Sequence, residues 1–226
     1  LIFVDIHPNN TLMNRIYILF TLIYLPFLVQ AQSSQTDLRI EQAQQTFAEF
    51  QTSVNNDDKE WPKKFIDSSS AAYYSNLLYL IKEADSTRLV GEKHSTILIV
   101  ITARLFAKEG AYTSIKNPYD LIYFLNHTMT KNKLDSLVVK DIKITGESAL
   151  VYTQYPGETD YIPYTFNFEN DSWKLNILSE FERIEVEISN PNFKAKYGTS
   201  KTKFIESIIL ANKWNDSSKN LWLPQP

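Results

Sequence analysis

The chain has 226 residues, 43% of them apolar and 13% aromatic, enough to bury a full hydrophobic core without disulfides or metals. A net charge of -3 and five glycines in all leave no footprint for a polyanion and little material for a phosphate-cradling loop, so nucleic acid, anionic membrane surfaces and nucleotides are excluded as main partners. With no cysteine, thiolate metal sites, cysteine nucleophiles and a lipid-bearing cysteine are excluded too.

In chain order, the first feature is a leader. From Met13 onward, Arg15 supplies positive charge, Ile16 to Val29 is apolar, and Val29 and Ala31 take the small-residue spacing of a signal-peptidase site. The apolar run contains Pro26 and falls short of the roughly 20 residues a membrane-spanning helix needs. Residues 1–31 are therefore expected to be leader and signal peptide, with residues 1–12 lying ahead of the start methionine. Cleavage after Ala31 would leave a mature chain from Gln32, without a membrane anchor, in a periplasm or outside the cell. Residues 32–226 are expected to form one α+β domain with an extension from about residue 180.

Helical signals fill the first half of the mature chain. Thr36 to Val54 is rich in helix formers and spaces Ile40, Ala43, Phe47 and Phe50 for one face. Trp61 and Pro62 open a short helix through Ile66, proline standing where its missing N–H costs nothing. A serine-rich start and the stripe Tyr74, Leu77, Leu78, Ile81 predict a helix over 69–84, capped by serine. Residues 95–110 carry a β-branched run that suits a buried strand, but length, a serine cap and a closing glycine favour a buried helix. Asn117 as cap, Pro118 at the first position and Leu121, Phe124 and Leu125 on one side predict the next helix.

The period then changes from helical to alternating. LVVKDIKI, SALVYTQY, YIPYTFNF and WKLNIL read as four strands joined by turns rich in Gly, Pro, Asn and Asp, an antiparallel meander. Pro163 suggests a bulge or bend in the third strand. KTKFIESIILANKW in the tail predicts a last helix. Helices followed by a meander give the α+β class, with N-terminal helices packed on an antiparallel sheet and an extra C-terminal helical segment.

Amphipathic helices, one with tyrosines near a serine-rich start, followed by a meander whose final hairpin is FNFENDSWKLNI, resemble the nuclear transport factor 2-like superfamily over roughly Phe47 to Leu178. The resemblance implies a curved sheet and helices forming a cone whose mouth can hold a ligand, with Trp173 and Phe168 filling it. The stretch after Ser179 departs from a minimal member.

That superfamily hosts isomerases, dehydratases and cyclases as well as binding domains. Its enzymes combine an Asp or His base with Tyr donors in a partly apolar cavity, where burial raises a carboxyl pKa and a phenol can stabilise an oxyanion. Asp120, Asp141, Tyr123, Tyr152 and Tyr164 are candidates of the right type, but none matches a signature position. No catalytic, metal or cofactor residue is therefore assigned. The chain has three histidines: His7 lies in the leader, and His94 and His127 read as exposed or capping residues, with His127 a candidate for the border of the mouth. Arg104, set in an apolar helix, either reaches solvent or pairs across the core. Lys194, Lys196, Lys201 and Lys203 read as solvating a loop and a helix start. The expected function is non-catalytic binding of a small apolar molecule or a protein partner through the cavity or sheet face. The competing expectation is an isomerase, dehydratase or cyclase acting in the same cavity.

Overall fold

The computed structural model describes residues 36–106, 111–129, 134–192, 200–203 and 206–207. The leader, Gly110 and most of the expected tail helix lie outside the described residues. The chain falls into two units, residues 1–42 and 43–226. Of the first, residues 36–42 are helical.

In the second unit, α1 (residues 43–55) buries Ala43, Phe47 and Phe50, the spacing of one helical face. It ends in a tight turn where Asp57 takes the left-handed region at φ 55°. The short α2 (Trp61–Phe65) has proline in its first turn and buries Trp61, Pro62 and Phe65. Trp61 and Phe65 both meet Phe50 edge-on, with centroids 5.5 and 5.9 Å away, a favoured aromatic geometry.

Helix α3 (Ser68–Glu83) buries Tyr74, Leu77, Leu78 and Ile81 as expected, but its cap is Asp67 and not a serine. The Asp67 carboxylate accepts the Ser70 N–H at 2.8 Å, the Ser69 hydroxyl at 2.9 Å and the Asn167 amide at 2.8 Å. A carboxylate accepts several donors at a helix start where a hydroxyl satisfies one. The serines take other jobs: Ser70 accepts the Ile177 N–H at 2.9 Å, and Ser68 donates through its N–H and its hydroxyl to Glu169. The helix start is thereby tied to the last hairpin.

A five-residue helix, α4 (Ser86–Val90), follows, capped by Asp85. The β-branched run is helical, as α5 (His94–Phe106), and buries Ile97, Val100, Ile101 and Ala103. After a 3-10 turn (Ala111–Thr113), α6 (Pro118–Met129) starts under Asn117, whose side chain accepts the N–H groups of Tyr119 and Asp120 at 3.0 Å.

The sheet is a four-stranded antiparallel meander, β1 (Val138–Thr145), β2 (Ser148–Gln154), β3 (Ile162–Glu169) and β4 (Ser172–Leu175). Asn170 and Asp171 both take positive φ between β3 and β4, as a primed hairpin turn requires. One face is buried, through Ala149, Val151, Thr153, Phe166, Trp173 and Leu175. Trp173 is 2% exposed and meets Phe168 edge-on at 5.1 Å.

The bulge expected at Pro163 is not there. Pro163 sits in regular register opposite Tyr152, and the irregularity falls in β1 between Val139 and Asp141. Asn176 donates to the Thr165 carbonyl at 2.8 Å on the β4 side, so the Pro163 nitrogen, two residues away, faces that side too. There β4 has already ended, its pairing with β3 beginning at Phe166. No ladder bond is lost, and the bare edge is blocked to further strands.

The fourth strand is shorter than its alternation suggests. After Leu175 the chain turns through Asn176 and Ile177 into α7 (Leu178–Ser189), which buries Ile188 and sets Phe181 against Tyr73 and Tyr74 at 5.2 and 6.0 Å.

Candidate functional site

Between the helices and the sheet lies a chamber of about 320 Å3. Its walls are Phe50 and Val54 of α1, Trp61 of α2, Tyr74 of α3, Ile99 of α5, Ile122, Leu125 and Asn126 of α6, Leu134, Tyr164 of β3, Leu175 of β4, and Ile177 and Phe181 at α7. Each element turns one apolar stripe or face inward, and the space left where those faces meet is this chamber. No charged side chain lines it among the described residues.

Three polar side chains do line it. Tyr74 is 6% exposed, Tyr164 and Asn126 are half-buried, and none of the three makes a side-chain hydrogen bond to the described residues. Burial pushes the Tyr164 phenol up to about 12, helped by Tyr155 and the Glu180 carboxylate. Burial also raises Tyr74, with Tyr73 adding to it. Both phenols therefore keep their protons at neutral pH.

A second cavity of about 680 Å3 adjoins the first and shares Tyr164, Leu175 and Ile177 with it. It is framed by the uncovered edge of β3 and the start of α7, where Arg183 pairs with Glu180 at 2.5 Å and with Glu187 at 2.9 Å.

The acid–base candidates do not converge. Of them only Tyr164 lines the chamber. Asp120, Tyr123 and His127 border a separate cleft of about 350 Å3 on α6. There Tyr123 donates to Asp57 at 2.8 Å, the His127 ring lies 3.1 Å from the same oxygen, and the two rings stack at 5.7 Å. Donation by Tyr123 is the main reason the Asp57 carboxyl lies below its ordinary range, and burial with the Asp57 charge pushes the Tyr123 phenol up to about 12. Asp120 accepts the Lys116 N–H at 3.0 Å. Asp141 and Tyr152 are cross-strand partners on the outer face of the sheet, beside Lys143. His127 thus borders this cleft and not the chamber.

His94 opens α5 and lies 3.2 Å from Glu185 of α7. Arg104 is 3% exposed and bonds into the last turn of α3. Lys201 bonds the carbonyls of Val90 and Glu92, and Lys203 is exposed. No group of three or more His, Asp or Glu among the described residues is placed to hold a metal, and no helix among them is long and apolar enough to cross a membrane.

Sequence reading named Tyr164 but missed the two other polar members of the chamber. Tyr74 was legible as part of an apolar stripe, but which side of the helix its hydroxyl would serve depends on α7, and Asn126 carried no signal beyond its place in α6.

Compared with family models, with curated proteins and with solved structures, the chain matches none.

Proposed function

We propose that this chain is an exported, non-catalytic binding domain of the cone type found in the nuclear transport factor 2-like superfamily, and that it takes a small apolar molecule between its helices and its sheet. The observation that carries the reading is the chamber: about 320 Å3, walled by six helices and two strands and free of charged lining among the described residues. A space of that size falls in the range of ligand sites. A domain that served only as an interaction scaffold would gain dispersion energy by filling it. Separation of Asp120, Asp141 and His127 from the chamber favours binding over acid–base chemistry there. Export rests on the residues from Met13 to Ala31.

Native mass spectrometry of the protein recovered from outside the cytoplasm tests both parts in one measurement. The expected result is a chain beginning at Gln32 that carries an added mass lost on gentle activation and soluble in organic solvent. A retained Met13 would overturn export. A chain that never carries such a mass, even after incubation with an apolar extract, would overturn ligand binding.

A further inference from the structure

The Tyr74 hydroxyl is the odd group in the chamber. Its side chain lies deep in the molecule, 6% exposed, on the wall that α3 contributes. The ring is fixed from two sides, by Tyr73 at 6.0 Å and by Phe181 at 6.0 Å. The Tyr74 oxygen is not among the fully enclosed unpartnered polar atoms of the described residues, so it opens onto the chamber, where the partner must come from whatever occupies that space. Ser70, one turn earlier on the same helix, has a partner in Ile177. Tyr74 has none among the described residues, and the two other polar side chains of the wall, Tyr164 and Asn126, share the condition.

We infer that the occupant of the chamber is an uncharged apolar molecule bearing one acceptor oxygen, a ketone, ester or ether, which accepts a hydrogen bond from the Tyr74 hydroxyl. This deepens the binding reading and rests on it. Three observations set the class. The wall is otherwise hydrocarbon and aromatic, so the body of the ligand is apolar. No cationic or anionic side chain lines the chamber among the described residues, so a carboxylate or ammonium entering it would be desolvated without a counter-charge. The polar side chains that do face it include two phenols held neutral, each with a proton to give.

Size follows from volume. A space of about 320 Å3 has room for about ten non-hydrogen atoms at the roughly 30 Å3 that a water molecule takes in the liquid. A longer molecule would continue past Tyr164 and Ile177 into the adjoining cavity, which shares both residues.

The test uses three molecules of one length, decane, methyl octyl ketone and decanoate as its anion, each displacing an uncharged naphthylamine dye from the full chain. Methyl octyl ketone is expected to bind about threefold to tenfold more tightly than decane, the net worth of one neutral hydrogen bond, and at least about tenfold more tightly than decanoate. In Tyr74→Phe the ketone should fall to the level of decane, while decane is unchanged. Thermal unfolding of the empty Tyr74→Phe protein guards against a folding defect: removing an unpartnered hydroxyl should leave its midpoint equal or higher. Tyr164→Phe, in the wall shared with the adjoining cavity, should keep the order of the three ligands. Equal binding of decane and ketone, or tightest binding of decanoate, would overturn the inference while leaving an apolar site standing. A preference for ketone that survives in Tyr74→Phe would overturn the role of Tyr74. Displacement by none of the three would overturn both the site and the inference.

Discussion

A guanidinium 3% exposed is stable only where its N–H groups find acceptors, and Arg104 directs three of them to one end of one helix. Its Nε donates to the Ile81 carbonyl at 3.1 Å and its Nη2 to those of Leu80 and Ala84 at 2.7 and 2.6 Å. These carbonyls belong to the last turn of α3 and its cap, where the negative end of the helix dipole gathers; that of Leu80 also accepts the Ala84 N–H at 3.2 Å. Burial lowers the guanidinium to about 10, against a small opposing effect of Tyr112, so it stays charged at neutral pH. Replacing Arg104 by Met should cost about 2–4 kcal/mol, because the carbonyls stay buried and lose a charged donor. Arg104→Lys should recover only part of this, since an ammonium cannot reproduce the planar fork. Urea midpoints would measure both against Arg88→Met, an exposed residue paired with Glu92, for which under about 1 kcal/mol is expected. Similar midpoints for Arg104→Met and Arg88→Met would refute the capping role. From sequence, Arg104 was legible as a residue in need of a partner, in an apolar run. Its partners were not, because a carbonyl at a helix end carries no residue signature. The same limit applies to Asp67, which one serine-rich stretch concealed.

At the scale of elements, the last helix decides how the others are held. Helix α7 begins where alternation in WKLNIL promised continued strand. Leu175 is the last residue to pair, and Asn176, by accepting the Ser179 N–H at 3.1 Å, turns the chain. The signal for α7 was present in Phe181, Ile184 and Ile188, spaced for one helical face, but two alternating apolar residues just upstream favoured a strand. Once formed, α7 caps α5 from outside. Glu185 accepts the Ser95 N–H at 2.7 Å and lies 3.2 Å from His94. This helps to explain why a β-branched run became helix: its positive end meets a carboxylate supplied by another element. Burial works against the charge on Glu185, but the donors on Ser95 and His94 outweigh it, and the carboxyl lies below its ordinary range. A lowered pKa in the folded state gives stability that is present above the unfolded value, about 4.3, and is lost as pH falls through the folded value. Glu185→Gln should therefore cost about 1 kcal/mol at neutral pH, and its difference from the natural chain should shrink between roughly pH 5 and pH 3. Denaturation midpoints across that range measure it. A difference that stays constant would remove the charge from the account.

On the scale of the whole second unit, the chamber lies where helix and strand faces stop short of one another, and the α+β layering that creates it was legible from the change of period alone. The volume left over was not, since it depends on how far each side chain reaches and on where α7 closes. An empty space of about 320 Å3 deprives its lining of contacts, so a side chain grown into it should be tolerated. Leu134 offers the site: its side chain lines the chamber, while its backbone carbonyl separately accepts the Gln51 amide. Leu134→Phe should leave the unfolding midpoint of the empty protein unchanged or raise its stability by up to about 1 kcal/mol. The natural chain should gain about 2.7 kcal/mol when a ligand such as methyl octyl ketone reaches a hundredfold excess over its dissociation constant, by mass action alone. In Leu134→Phe that gain should largely vanish at the same concentration, because the ring occupies the ligand's place. Calorimetric unfolding of both chains with and without the ketone separates the outcomes. A filled variant that is still stabilised as strongly as the natural chain would place the bound molecule somewhere other than the chamber.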